Sequence, residues 1–556
     1  MKTKTIQGSV SIVLLVGMTV MVTVLTGVFA AAVTSKRVTW RSVDEEMAYQ
    51  AAQAGIELET ARAVAALQSN KGLFKALTAD ISGDLNPILN GCVATATVAP
   101  QTDPKGAWIT CTVTYNQFTK SARVNVYAKN VGIWNNAIFA GTGAAGQQIN
   151  GNVTIAGSVH TLGDGEPYID VPGIGQYFAG DPYTDTNHNG KWDPGEPYTD
   201  TLGLGKYYGP DPFQDTNGNG IYDPPLTASS LDATFSGTAM ISDNYTGMPA
   251  ALLSDIPAAP VVNGLQTLST EVRVKHGLVS LSGSSTIGQS GTVSGMKTTV
   301  DGVYVNDGFT GTKGSSAVYS DNGTNNQYDL NNMNIQYPYI SGYGAQTYTD
   351  SNGTSWSSQE AFLDANALNC PVTTIKATTA AFSYSDSLGN SISFTPAVGN
   401  VPATLTIYGI VRFNTDTLQI GAKDTINYQG KGTMYCDGNV NIDGNLLPLA
   451  GLTFPTSTTL GLIAKKNMNL ASGNGSSQLS MCGAFYAQGS VYSAKQNNIA
   501  GTFVGNFFNM GNNVPAIYQV PSLPYNMPTG MPGDKGIYSV NIKAWRNRYY
   551  KPSDQH

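Results

Sequence analysis

From Ser9 to Val33 the chain carries no ionisable residue, and no other stretch restricts its fold so severely. Wound as an α-helix at about 1.5 Å per residue, this run reaches roughly 37 Å, enough to cross the hydrocarbon core of a bilayer. Ahead of it lies a short basic leader, MKTKTIQG, whose Lys2 and Lys4 suit the cytoplasmic side. Beyond Arg41 the pattern stays helical. Met47, Ala51, Ala54, Leu58, Ala61 and Ala65 recur at three- and four-residue spacing, while Asp44, Glu45, Glu46, Glu57 and Glu59 fall mostly elsewhere. Gly72 is placed to stop the helix. Residues 9–72 are therefore expected to form one helix with a membrane-spanning half and an amphipathic half.

The leader ending in Gly8, the apolar helix and the segment AYQAAQAGIELETAR (Ala48 to Arg62) together resemble the type IV prepilin class, above all the PilX-like minor pilins. The resemblance implies that residues 1–8 are a leader cut by prepilin peptidase after Gly8, leaving Ser9 as the new N-terminus. It implies storage in the inner membrane, then assembly with other pilin-like subunits, through this helix, into an extracellular filament or fimbrium. Two positions depart from the family. Ser9 stands where an aromatic or methionine is usual, and Val13 where the fifth mature residue is a glutamate. An uncleaved signal anchor and a secretory peptide cut near Ala30 to Ala32 are the plain alternatives. The run exceeds an ordinary signal-peptide core, and an amphipathic continuation has no role behind a discarded peptide.

Only 12% of the 556 residues are charged, while Gly numbers 62 and Tyr 29, the balance of a turn-rich β protein with a neutral polar surface. A net charge of −7 with no Lys/Arg cluster leaves no face for nucleic acid. His160, His188, His276 and His556 are dispersed, and no nucleophile elbow, phosphate loop or HExxH occurs, so no enzyme is expected. Export would place the five cysteines in an oxidising compartment. Cys92 and Cys111 lie in alternating segments, CVATATV and WITCTVTY, around a turn, and are expected to form a disulfide; two independent buried thiols are the alternative. Cys370, Cys436 and Cys482 have no assignable partner.

Residues 73–130 read as a small α+β connector. From 131 to 520 the chain takes short apolar steps broken by Gly, Asn or Asp, as in INGNVTIAGSVH and QLSMCGAFYAQGSVYS. Stacked coils of a parallel β-helix require this texture, because each coil buries its inward side chains against those above and below. An antiparallel sandwich or barrel is the alternative. The segments AIFAG, INGNVTIAGSVH and GAFYAQGSVY also look like the solenoid heads behind PilX-like stalks. Two stretches break the rhythm, 166–225 and 330–400; the second holds a short helix, with Ser357 and Glu360 at capping-box spacing. The tail, 521–556, is expected to pack along the outside of the head.

The first interruption is four 15-residue units: EPYIDVPGIGQYFAG, DPYTDTNHNGKWDPG, EPYTDTLGLGKYYGP and DPFQDTNGNGIYDPP, starting at Glu166, Asp181, Glu196 and Asp211. In the second, Asp185, Asn187, Asn189, Gly190, Lys191, Asp193 and Glu196 hold positions 1, 3, 5, 6, 7, 9 and 12 of an EF-hand calcium loop. A hard cation takes six to eight oxygens. Short Asp and Asn side chains supply them from alternate positions, Lys191 through its carbonyl, and a terminal Glu chelates. The fourth unit repeats Asp215, Asn217, Asn219, Ile221 and Asp223 but has Leu226 at position 12, so its last donor must come from elsewhere, with Asp200 and Asp211 the candidates. Units one and three offer GIG and GLG and read as structural. Pro182, Pro194 and Pro197 oppose flanking helices, so the array is read as calcium-stapled loops with Ca²⁺ as cofactor; metal-free Asx turns are the alternative.

The expected protein is thus a minor pilin-like subunit at a filament tip, showing a calcium-stabilised β head for adhesion, to a surface or carbohydrate receptor, or for assembly priming. A type II secretion pseudopilin and a surface protein on an uncleaved anchor are the rival expectations.

Overall fold

The computed structural model describes residues 7–70, 72–141, 149–151, 153–215, 220–224, 232–237, 239–324, 326–328, 330, 335–341, 347–473, 477–509 and 514–546. The first six leader residues, Asn217, Asn219 and Leu226 lie outside them. The chain forms two units, residues 1–130 with 537–556, and residues 131–536.

The first unit is built on α1 (Gln7–Ser69), which at about 1.5 Å per residue is roughly 95 Å long. Its N-terminal half has no protein around it: the described side chains from Leu14 to Val43 are exposed almost throughout. Its C-terminal half lies on an antiparallel sheet, in the order β1 (Leu77–Asp80), β2 (Val93–Pro100), β3 (Gly106–Tyr115), β4 (Phe118–Asn130) and the C-terminal strand Tyr538–Arg546. The buried face of α1 is Ala48, Ala51, Ala52, Gly55, Ile56, Glu59 and Leu67, rather than the expected stripe, in which Met47, Ala61 and Ala65 prove exposed. Small size decides the face. A Cβ on Gly55 would stand 2.4 Å from the Cys111 Sγ of β3, so glycine lets the helix backbone approach the sheet. Glu59, expected on the polar side, is 1% exposed, and burial raises its carboxyl above the usual range against the pull of Arg62.

All five cysteines are buried and free, so the expected Cys92–Cys111 disulfide is not formed. The β2–β3 register sets Ala96 opposite Cys111, and Cys92 lies four residues earlier. At about 3.3 Å per strand residue that offset far exceeds the ~7 Å that a disulfide can span. Burial pushes the Cys111 thiol up to about 12, as befits a small core side chain.

The second unit is a parallel solenoid. Its strands pair from coil to coil in register, so identical positions stack into columns. One inward column runs Val411, Met434, Leu462, Phe485, Phe503, Ile138, Val159, Val272 and Val303. Another runs Ile426, Leu446, Met481, Ile499, Ile517, Ile155, Ile241, Ile287 and Val318. Ladder hydrogen bonds join the coils at about 4.8 Å spacing, and each aliphatic or aromatic side chain is covered by its neighbours above and below. Phe485 and Phe503 stack at 4.5 Å.

The columns reveal an order that differs from chain order. The chain enters mid-solenoid at Ile138, winds outward to Val318, crosses back, and restarts at the opposite end near Leu368. It then winds inward until Phe503–Gly505 pairs with Ile138–Ala140 and Ile517–Tyr518 with Ile155–Ala156. The rhythm lost after 330 is this return crossing. It covers an outward column of unusually large side chains: Tyr337 lies over Phe139 and Tyr486, Tyr486 donates to the Pro338 carbonyl at 2.7 Å, Tyr328 meets His160 at 2.8 Å, and Asp364 pairs with Arg412 at 3.0 Å. The crossing includes the helix Gln359–Asn366, whose N-cap is Ser358 rather than Ser357; its hydroxyl accepts from the Ala361 amide at 3.1 Å. The tail divides. Residues 521–536 lie on the solenoid, where the Thr529 carbonyl accepts from Thr433 and the Pro532 carbonyl from Trp134, whereas Tyr538–Arg546 leaves for the first unit and pairs with β4.

Candidate functional site

The acidic repeat is inserted between the strands Val159–Thr161 and Asp232–Gly237. Its four units pair as a nested set, the first with the fourth and the second with the third. Single antiparallel bridges mark the pairs, Tyr168 with Phe213 and Tyr183 with Tyr198. Around the second bridge the Thr184 amide donates to the Pro197 carbonyl at 2.9 Å and Thr199 to Pro182 at 2.8 Å.

Each pair shares an aromatic core. The twelfth-place rings stack face to face, Tyr177 on Tyr222 at 3.8 Å and Trp192 on Tyr207 at 4.4 Å. The third-place rings, Tyr168 and Phe213 in one lobe and Tyr183 and Tyr198 in the other, meet them edge-on. The shared aromatics of the repeat are therefore the core of two small lobes, which explains how 15-residue units without helices or long strands hold a shape.

Within each unit the fifth-place aspartate folds the loop. Asp185 accepts from the Gly190 amide at 2.8 Å, Asp200 from Gly205 at 2.8 Å, Asp215 from Gly220 at 2.7 Å, and Asp170 from Gly173, Ile174 and Gly175. The tenth-place glycine has φ of 77°, 76°, 73° and 75° in the four loops, a conformation that a side chain would strain. In the second loop Asn187 and Asn189 both donate to one oxygen of Asp193, at 2.6 and 2.7 Å, while Asn189 also holds Lys191. The expected ligands Asp185, Asn187, Asn189 and Asp193 thus converge on one small loop. In the fourth loop Asp215 and Asp223 keep the same places, and Ile221 is exposed. Among the described residues no group of three or more His, Cys, Asp or Glu is placed to hold a metal; the second loop combines carboxylates with carboxamides.

The leading acid of each unit closes the loop of its partner. Glu196 accepts from the amides of Thr186 and Asp193, both at 2.9 Å, and so closes loop two. Asp181 accepts from Thr201 and Tyr208, both at 2.9 Å, and closes loop three. Asp211 does the same for loop one through Val171 and Phe178, both at 2.9 Å, and Glu166 accepts from Asp223, at 3.1 Å, in loop four. In loop four the closing acid is Glu166, while Asp211 closes loop one and Asp200 folds loop three. All four closing acids are buried, with 8% exposure at most. Glu196 is held below the usual carboxylate range by the Asp193 amide, which outweighs burial. For Asp181, burial acts to raise the carboxyl, but the amides of Tyr208 and Thr201 together hold it low.

Sequence reasoning placed only Glu196 among these closers. A signal was present in the unit starts, which alternate Glu, Asp, Glu, Asp. The two loops rich in Asp and Asn are closed by Glu and the two GIG/GLG loops by Asp, so each acid matches its partner's loop rather than its own.

No protein-family model matches the chain, and no curated protein is significantly similar to it. Among solved structures it is similar to the competence-associated pilin ComZ from Thermus thermophilus, with a TM-score of 0.50 and 16% identity, over 90% of this chain and 97% of that one. At that identity the likeness is one of fold: a pilin-like long N-terminal helix followed by a mainly β structure.

Proposed function

We propose that this chain is a minor pilin-like subunit of a type IV pilus-type filament, carrying a calcium-stabilised solenoid head outward for adhesion or assembly priming. The observation that carries the reading is the division of α1. Its half from Ala48 onward packs on its own sheet, while Leu14, Val16, Met18, Leu25, Val28 and Phe29 stay more than half exposed. Apolar surface of that extent and length needs a bilayer or sister helices around it, and a prepilin uses both in succession. Gly8 is then the last leader residue and Ser9 the mature N-terminus. Replacing Gly8 by a bulky residue is expected to leave full-length precursor in the inner membrane and out of filaments. A mature chain that begins near Ala32 instead of Ser9 overturns the reading.

The tip is the place that fits Val13. A mature glutamate at that position serves to neutralise the buried amine of the subunit ahead, and an unpaired charge in an apolar core costs several kcal/mol. A subunit with valine is best tolerated with no neighbour ahead. Labelled antibodies to the head are expected at filament ends; regular decoration along shafts refutes the tip assignment.

Calcium is assigned to loop 185–196, with Asp185, Asn187, Asn189, the Lys191 carbonyl and Asp193 as the oxygen set and Glu196 closing it. The pairing of Glu with both Asp- and Asn-rich loops supports a cation there, since a glutamate is the residue that ends a calcium loop of this spacing. Calorimetry with calcium on the soluble head tests it; no binding at millimolar ion removes the assignment.

A further inference from the structure

Asp181 belongs to the second unit by sequence but spends its side chain on the third. It is 3% exposed and receives the amide and hydroxyl of Thr201 and the amide of Tyr208. Loop three presents Asp200, Leu202 and an exposed Leu204 where loop two presents Asp185, Asn187 and Asn189. Units two and three nevertheless meet at the Trp192 ring and at the bridge beside Glu196. Tyr207 stacks on Trp192, Trp192 donates through Nε1 to the Glu196 carbonyl at 3.1 Å, and the Tyr183–Tyr198 bridge sets Glu196 beside the amides it closes.

We infer that Asp181 is a positioning residue for loop 185–196: it fixes loop three, which in turn holds Trp192 and Glu196 in place, so that the cation affinity of loop two depends on an acid that offers it no oxygen. The inference rests on the calcium reading of loop two. In the lobe formed by units one and four Asp211 binds two loop amides in the same way, and among the described residues that lobe makes none of these contacts to loop two. A change at Asp211 therefore serves as a matched control.

The experiment compares amide hydrogen exchange across residues 183–196 in the full chain and in D181N, D211N and D181E, each titrated with calcium chloride. Asparagine keeps the shape of Asp181 but removes its charge and turns one of the two oxygens, each of which accepts a backbone amide, into a donor. In D181N the calcium needed to protect loop two is expected to rise about tenfold, the order of one charge-assisted hydrogen bond. Without calcium, the amides of Thr186, Gly190 and Asp193 exchange faster than in the parent. D211N leaves both readouts at parent values, and D181E restores most of the loss. Parent-like behaviour of D181N in both readouts overturns the inference, as does equal weakening by D181N and D211N. If the parent itself shows no calcium-dependent protection, the calcium reading fails, while the calcium-free exchange still decides whether Asp181 shapes the loop.

Discussion

The permuted solenoid makes a quantitative prediction at the seam where its last-made coil meets its first. Ile155 and Ile517 face each other there, 1% and 0% exposed, between Ile241 and Ile499. Replacing either by alanine deletes three carbon groups at about 0.8 kcal/mol each, and the cavity left in a column covered from both sides brings the cost to about 3–4 kcal/mol. If the runs 138–318 and 368–518 form one stack, the two cavities merge. The double variant then loses less than the sum of the singles, with a coupling of about 1 kcal/mol. The assay is urea unfolding of the chain from residue 34 onward, followed by circular dichroism and tyrosine fluorescence, with midpoints and slopes compared across the cycle. Two results refute the stacking: single-variant losses that add within about 0.4 kcal/mol, or Ile155→Ala and Ile517→Ala each shifting a separate transition.

Two further outcomes are expected. Gly55→Val drives its side chain into Cys111 and should destabilise the first unit by about 1–3 kcal/mol; Gly55→Val combined with Cys111→Ala should recover part of the loss in thermal melts, and no recovery would place the cost in the helix itself. The acid clasps set a pH window. Backbone amides hold the carboxyls of Glu196 and Asp170 low, and Asp181 is low against its burial. Because these folded-state values are depressed, the stability they contribute is present in full above the ordinary carboxylate pKa of about 4 and is lost as pH falls through the folded values. Pepsin digestion from pH 5 to pH 2 should therefore cut first within 166–224, and cutting elsewhere first would refute the clasp.

The sequence determined what short-range chemistry can write. The run Ser9–Val33 dictates a long apolar helix whatever surrounds it, Gly and Asn between short apolar steps dictate brief strands and tight turns, and the spacing from Asp185 to Asp193 bends one loop onto its own oxygens. Each of these depends on residues close to one another along the chain. Tertiary structure decided the rest, because the remaining choices were between nearly equal partners. Columns of Ile, Val and Leu fit one another in any order, so which coil stacks on which is not written in the strands themselves, and the fold placed the Phe503 strand on the Ile138 strand. The helix could have docked through Met47 or Ala51, and the close approach that Gly55 permits favoured the smaller face. Cys92 and Cys111 share a hairpin, but the register is set by the pairing of the whole strands and carries their sulfurs apart. The closing acids were hidden for the same reason: Glu166 and Asp181 look like the start of their own units until the nested pairing brings them to the loops they close.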